Sequence, residues 1–276
     1  MNYINNNNTT FLIITYNPDD NIFDVIKVIN KIGFNFIVVD NSESYDLNID
    51  KLKKNNPNSQ IILNKNIKGI SGALNIGFQI ALLNKFKYVI TLDQDSLFNF
   101  NLIHCYNQIF EKYNNYNIGA VGVNNNIKYS TNLKYLETFQ LINSGTIVNC
   151  EAYTIVNGYD EKFFIDNVDF DFFLRINQNE YKTFKILNYG IDHKFGSPLD
   201  LNYFFIKIKF AKYPATRLYH FTYSNIYFFK KYMLVKPFFC IKKLFFFNLY
   251  MFHSLFVYNK MELKAMLMGV KNSFKN

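Results

Sequence analysis

Between residues 11 and 123 the chain alternates short, continuous apolar runs with amphipathic stretches, and this alternation limits the folds open to it. FLIITY (11–16), FIVVD (36–40), IIL (61–63), YVITL (88–92) and IGAVGV (118–123) have the length and residue content of buried strands. Between them, residues 20–32 place Ile22, Val25, Ile26 and Ile29 on one helical face, ended by Gly33. Residues 70–84 repeat the spacing with Leu74, Phe78, Ala81 and Leu82, and 100–113 read as a third helix. Strands without an inside–outside alternation must be covered on both faces. The expectation is therefore an open α/β fold, a mostly parallel central sheet with helices on both faces. Ligands of such folds sit beyond the carboxyl ends of the strands.

Short polar side chains gather at those ends. The first strand runs into Thr15, Tyr16 and Asn17, the second into Asp40, Asn41 and Ser42 and the NSES turn, and the fourth into Asp93, Gln94 and Asp95. One such end ordinarily caps a helix or solvates a turn. Three of them around one crevice form a polar pocket. An acid-x-acid pair at its lip offers hard oxygen ligands to a divalent cation, which can in turn hold a diphosphate. GISG (69–72) opens a helix and could turn backbone N–H groups toward an anion, although glycine before a helix is common. No GxxxxGK[ST] loop follows the acids, so the P-loop route to phosphate is absent. Gln94 has no evident task.

The formal charge of +9 is unevenly spread over the 276 residues. Residues 1–199 hold 17 Lys+Arg against 19 Asp+Glu, whereas 200–276 hold 13 against 2. A near-neutral body thus carries a basic tail rich in Phe and Tyr, and such asymmetry points to an anionic surface as partner. Within its apolar stretch 226–258, the longest uncharged piece is 244–258, 15 residues. That is short of the roughly 20 apolar residues of a spanning helix. Basic amphipathic helices lying in the membrane interface are expected instead, with packing on the body or a homodimer contact as the plainer alternative. No RNA- or DNA-binding signature accompanies the charge, and no nucleic acid is expected. Cys105, Cys150 and Cys240 are odd in number and far apart, which fits a reducing compartment better than a disulfide framework. An Asn-rich start occupies the place of a secretory signal.

The ordered series FLIITYN, VVDNSES, NIKGISGALNIGFQIAL and VITLDQDS resembles the family 2 glycosyltransferases of the GT-A fold, and the DQDS form resembles their rhamnosyltransferase-like branch. NSGTIV (143–148), GYDEKFFIDNVDFDFFLRINQNEYK (158–182), HKFG (193–196) and RLYHFTYSN (217–225) continue the likeness, which covers about 11–230. His220 and Ser224 depart from the branch pattern, which carries Tyr and Arg there, and put the usual arginine contact in doubt; Arg217 or Lys212 are the available substitutes.

The resemblance implies a GT-A domain over 1–215, with a nucleotide-sugar half to about 125 and an acceptor half over 126–215, followed by helices over 216–276. It implies Mg²⁺ or Mn²⁺ as cofactor, with Asp95 as ligand, Asp93 sharing the ion or meeting the ribose, and His193 as a further ligand or phosphate contact. Nucleotide contacts would come from Thr15, Tyr16, Asn17, Asp40, Asn41, Ser42, Gly72 and Asn75. Asp169 would be the base of an inverting transfer, with Asp166 and Asp171 beside it. Val168 stands where the family carries Glu. Ser144, Gly145, Arg175 and Arg217 would face acceptor or phosphate. Acids in a first helical turn are also ordinary capping, and Arg175 could simply pair with Asp171 one turn away.

The implied partners are a nucleoside diphosphate sugar, plausible as dTDP-rhamnose, and a lipid-linked glycan at the inner face of a cell membrane, the protein being cytoplasmic and peripheral. Another donor sugar, or a non-catalytic binding protein of the same fold, keeps the same motifs.

Overall fold

The computed structural model describes residues 3–125, 134–193, 199–203, 206–210 and 212–275, with backbone alone at 125, 192–193, 199–203 and 206–210. The chain falls into two compact units, one of residues 1–161 and 168–194, the other of 162–167 and 195–276. The helical segment expected from 216 lies within the second of these units.

The first unit is built in the order β1 (Thr9–Thr15), α1 (Asn21–Lys31), β2 (Asn35–Asp40), α2 (Leu47–Asn55), β3 (Gln60–Leu63), α3 (Gly69–Leu83) and β4 (Tyr88–Asp93). It continues with β5 (Ser96–Leu97), α4 (Asn101–Lys112), β6 (Ile118–Asn125), β7 (Tyr135–Glu137), β8 (Thr146–Asn149), α5 (Cys150–Ile155), α6 (Val168–Gln178) and β9 (Lys182–His193). The sheet order is β3-β2-β1-β4-β8-β6-β9-β5, with β7 also on β9. β3, β2, β1 and β4 run parallel, as do β6 and β9, while β8 is antiparallel to both its neighbours. The five expected strands are all present, within a residue or two at their ends.

Burial explains the pattern. Phe11, Leu12, Ile13, Val38, Val39, Val89 and Ile90 are fully buried on alternate faces of the sheet, which is why these strands carry no polar side. Ile22, Val25, Ile26 and Ile29 face the core as expected. On α3 the buried face is Leu74, Phe78 and Ala81, but Leu82 is 38% exposed. Helix α2 was not anticipated. It buries only Ile49 and Leu52, too few to show a period, and starts where the Asp46 carboxylate accepts from the N–H groups of Asn48 and Ile49.

The second unit holds the hairpin β10 (Leu199–Tyr203) and β11 (Ile206–Phe210), then α7 (Ala215–Tyr232), α8 (Pro237–Val257) and α9 (Lys260–Ser273). Helices α7 and α9 touch closely at Gly269, where a Cβ would lie 2.4 Å from the Tyr219 carbonyl oxygen and 2.1 Å from Thr222 Oγ1. The Thr222 hydroxyl donates to Met266 O across this contact at 3.0 Å. Asn259 and Glu262 cap α9 reciprocally.

Helix α8 is longer than its uncharged stretch suggested, because the backbone ladder runs straight through Lys242 and Lys243. At 21 residues it is the one helix among the described residues long and apolar enough to cross a membrane. Its buried stripe is Cys240, Phe247, Tyr250 and Ser254. On the other side Phe238, Ile241, Phe245, Phe252, Leu255 and Phe256 are between 50% and 89% exposed.

Candidate active site

The carboxyl ends of β1, β2 and β4 meet because the three strands are neighbours in parallel register. Ile14 lies opposite Val39 and Asp93, and Thr15 lies opposite Asp40. Asp40 is buried, at 1% exposure, and its Oδ1 accepts from the hydroxyls of Thr15 at 2.7 Å and Ser42 at 2.8 Å. Ser42 Oγ in turn accepts from the N–H of Asn17 at 2.8 Å. The chain there enters the left-handed region, with Asn17 at φ 45°, which leaves Tyr16 half-exposed above the strand ends. Gln94 now has a task. Its Oε1 accepts from the Tyr16 N–H at 2.7 Å and its Nε2 donates to Tyr16 O at 3.4 Å, so the turn of the acid pair ties the tips of β4 and β1 together.

Several expected nucleotide contacts are taken up by the scaffold instead. Asn41 donates to Gly69 O and accepts from Asn64 Nδ2, stapling the ends of β2 and β3 to the start of α3. Gly72 is a packing glycine, since a Cβ there would lie 2.5 Å from Ile67 O. Asn75 is neither a nucleotide contact nor a surface amide. Its Nδ2 donates to Tyr159 O and Glu161 Oε1, and its Oδ1 accepts from the Tyr153 hydroxyl and the Tyr159 N–H. All its hydrogen-bonding capacity clamps α3 to residues 159–161.

The acid turn is braced from below. Ser144 Oγ accepts from the Asp93 N–H at 3.1 Å and donates to Ser96 Oγ at 2.8 Å. Gly145, at φ 73°, donates to Thr91 O and accepts from the buried Tyr106 hydroxyl. Ser144 and Gly145 therefore build the turn rather than face an acceptor. Asp93 and Asp95 are partly exposed. β5 leaves this turn to pair with β9, with Ser96 opposite His193, so the backbone of His193 lies beside the residue that follows Asp95. The remainder of the HKFG segment lies outside the described residues.

Asp169 stands in the first turn of α6, partly exposed, and its Oδ1 accepts from Asn143 Nδ2 at 2.5 Å. Asn143 Oδ1 accepts from the Tyr159 hydroxyl at 2.9 Å. This orientation of the amide is the one a carboxylate demands, because an ionised acid can only accept. The Tyr159 hydroxyl is pushed well above its ordinary value by burial and by the nearby Asp169 charge. Thr91 holds the Asn143 carbonyl through its hydroxyl at 2.5 Å. Sequence reading passed over Asn143 and Tyr159; their only signal was position, one residue before Ser144 and at the Gly-Tyr-Asp stretch.

Asp171 corrects an expectation. It is fully buried, and its Oδ2 accepts from Arg175 Nε at 2.9 Å and Nη2 at 2.7 Å, while Arg175 Nη1 donates to Val156 O at 2.6 Å. Asp171 is closed off inside this pair within α6, while Arg175 is partly exposed and tied to Asp171 and Val156. Asp166 belongs to the second unit, where its Oδ1 lies 3.4 Å from Arg217 Nη2. Burial raises its carboxyl above the ordinary range, against the pull of Arg217 and Lys243.

The donor set at the acid turn fits a divalent cation shared with a substrate. Among the described residues no group of three or more His, Cys, Asp or Glu is placed to form an all-protein cage. Two partly exposed carboxylates at a strand end are the number that a Mg²⁺-type ion uses when phosphates and water complete its shell. Cys105, Cys150 and Cys240 are buried and free, and no role attaches to them.

Residues 10–169, more than half the chain, match the family model of glycosyl transferase family 2. A dTDP-rhamnosyl transferase, RfbF of Shigella flexneri, is 31% identical over 205 residues, 67% of this chain; the chain spans 65% of that protein's length. A structure of S. aureus TarS 1-349 in complex with UDP superposes with a TM-score of 0.53 at 12% identity, covering 78% of this chain and 63% of that one. Another S. aureus TarS structure gives 0.53 at 12%, covering 80% and 39%. At these identities the TarS structures speak for the fold alone, and they agree with the expected GT-A architecture. The RfbF likeness agrees with the expected rhamnosyltransferase-like branch. Sequence motifs and strand-end geometry lead to one conclusion: the chain belongs to the family 2 glycosyltransferases.

Proposed function

We propose that the chain transfers a sugar, rhamnose from dTDP-rhamnose, from a nucleoside diphosphate donor to a glycan acceptor with inversion. One observation carries the reading. The consecutive residues Asn143 and Ser144 reach, respectively, the Asp169 carboxylate and the backbone of the acid turn, so one dipeptide links a base to a diphosphate-binding lip. Thr15, Tyr16, Asn17, Asp40 and Ser42 form the base and ribose side, with Asp40 preset as an acceptor by the two hydroxyls that hold it. Asp93 and Asp95, with His193 on the neighbouring strand, would hold the Mg²⁺ or Mn²⁺ ion, and a bound ion supplies Lewis-acid stabilisation of the departing diphosphate. Asp169 takes the proton of the acceptor hydroxyl.

The exposed apolar side of α8 favours a lipid-linked acceptor met at an anionic membrane. Its other side is packed on α7, with Phe221 and Tyr250 rings 4.7 Å apart and Phe229 and Phe247 5.8 Å apart. A helix packed along one side and apolar on the other suits embedding in the plane of the interface. The basic residues around it add about 1 kcal/mol each toward anionic lipid.

The test is a donor panel, dTDP-rhamnose against UDP-hexoses, scored by nucleoside diphosphate release with and without Mg²⁺ or Mn²⁺. Release with dTDP-rhamnose that vanishes on chelation and in Asp169→Asn is expected. Transfer at the wild-type rate in Asp169→Asn would remove the base assignment, and release indifferent to chelation would remove the metal. Flotation with anionic vesicles, set against an oligonucleotide shift, checks the α8 surface.

A further inference from the structure

Among the described residues, the buried side-chain polar atoms without a protein partner all fall in three residues of the second unit. They are Asp166 Oδ2, both amide atoms of Asn167, and Arg217 Nε. Buried polar groups are normally paired, so a cluster of orphans calls for a ligand or a function. Asn167 is only 7% exposed.

The backbone adds an independent sign. Asp166 and Asn167 are successive left-handed residues, at φ 60° and 62°. Asp and Asn tolerate that region, but it is costly, and it persists only where the surroundings impose it. Here they do. The Ser224 hydroxyl donates to Ile165 O at 2.8 Å, and the Phe164 ring stacks on His220 at 3.9 Å. The two residues before Asp166 are thus anchored on α7.

Their chemistry selects the ligand. Asp166 Oδ2 and Asn167 Oδ1 accept, while Asn167 Nδ2 and Arg217 Nε donate. A phosphate would meet the Asp166 carboxylate at its open oxygen, and a cation would meet Arg217 and the nearby Lys243. Hydroxyl groups both donate and accept, and two neighbouring ones on a pyranose ring match the set. The outer closure is weak: the Asp166–Arg217 pair is 3.4 Å long with side chains 25% and 35% exposed, and the guanidinium rests over the Tyr213 ring at 4.7 Å.

We propose that Asp166, Asn167 and Arg217 form a subsite for a vicinal diol of the acceptor saccharide, entered when the loose Asp166–Arg217 pair parts. This rests on the transferase reading and moves Asp166 from proton transfer to acceptor recognition.

The experiment is saturation-transfer NMR on the full chain with methyl α-L-rhamnopyranoside, its 2,3-di-O-methyl ether, and inorganic phosphate as competitor, with dTDP binding measured on the same samples. Wild type is expected to bind the glycoside and not the ether, and phosphate not to compete. Asn167→Gly keeps a residue suited to the left-handed backbone and removes the amide. It should bind the glycoside at least tenfold more weakly and dTDP as wild type does. Arg217→Lys, which keeps the charge and removes Nε, should do the same and serves if the glycine variant does not fold. Wild type that binds dTDP but no glycoside overturns the subsite. So does unchanged glycoside binding in both variants, which would mean that the orphans serve water only. So does competition by phosphate. Glycoside binding without dTDP binding would instead overturn the transferase reading and leave the diol subsite standing.

Discussion

Asn143→Leu is the perturbation that best separates a positioned base from a merely buried network. The side chain is 9% exposed and similar in size to leucine, so the change removes two hydrogen bonds and little volume. The first is the 2.5 Å bond to Asp169 Oδ1. Hydrogen bonds to an ionised group are worth about 1.5–3 kcal/mol. At about 1.4 kcal/mol per tenfold, losing one makes protonation of Asp169 roughly ten- to hundredfold easier. The acid limb of the pH–rate profile should therefore move up by about one to two pH units, with the rate reduced at the optimum. The second is the 2.9 Å bond from the Tyr159 hydroxyl, which is fully buried and would be orphaned. That costs about 1–3 kcal/mol of stability, seen as a Tm lower by several degrees. Tyr159→Phe is the control. It removes the hydroxyl but leaves the Asn143 amide free to donate to Asp169, so stability should change and the acid limb should not. A limb that stays put in Asn143→Leu, or moves equally in Tyr159→Phe, would refute the assignment of Asn143 as the residue that positions the base.

Three further outcomes follow from particular contacts. Gln94→Ala unties Tyr16 from the acid turn; with a net bond worth about 0.5–1.5 kcal/mol, nucleotide affinity measured by calorimetry should fall about two- to tenfold with little change in Tm. Gly269→Ala puts a Cβ 2.4 Å from Tyr219 O, and this overpacking should cost about 1–3 kcal/mol, read as earlier melting of the helical unit. Asp166→Asn should raise thermal stability at neutral pH, because burial holds this carboxyl above its ordinary value of 3.8 and ionising it opposes folding. With a raised folded value, stability is greatest below 3.8 and falls as pH rises through the folded value, so the advantage of the amide should vanish in acid.

The order of elements was legible because buried strands and amphipathic helices write different periods into a chain. The apolar runs, Ile22 to Ile29 on one face of α1, and the acids at the end of β4 needed no coordinates. Asp40 and Thr15 could be placed at strand ends in the same way. Helix α2 escaped because two buried residues make no period.

What only the tertiary structure decided is which polar group meets which. Polar pairing is a matter of a few tenths of an ångström between residues far apart in sequence, and no local pattern encodes it. Asn75 looked available and proved to be a clamp, because residues 84 positions away supply its partners. Asp171 and Asp169 look alike two residues apart, yet helical geometry turns one inward to Arg175 and gives the other to Asn143. Gln94 was unexplained until the register of β1 beside β4 set Tyr16 within its reach. The sequence by itself determined a parallel α/β sheet with acids at its lip and a basic, aromatic tail. Folding decided where each of the acids sits: Asp40 and Asp171 are buried and held by partners, while Asp93, Asp95 and Asp169 keep part of their surface exposed, because burial depends on which elements pack over each of them.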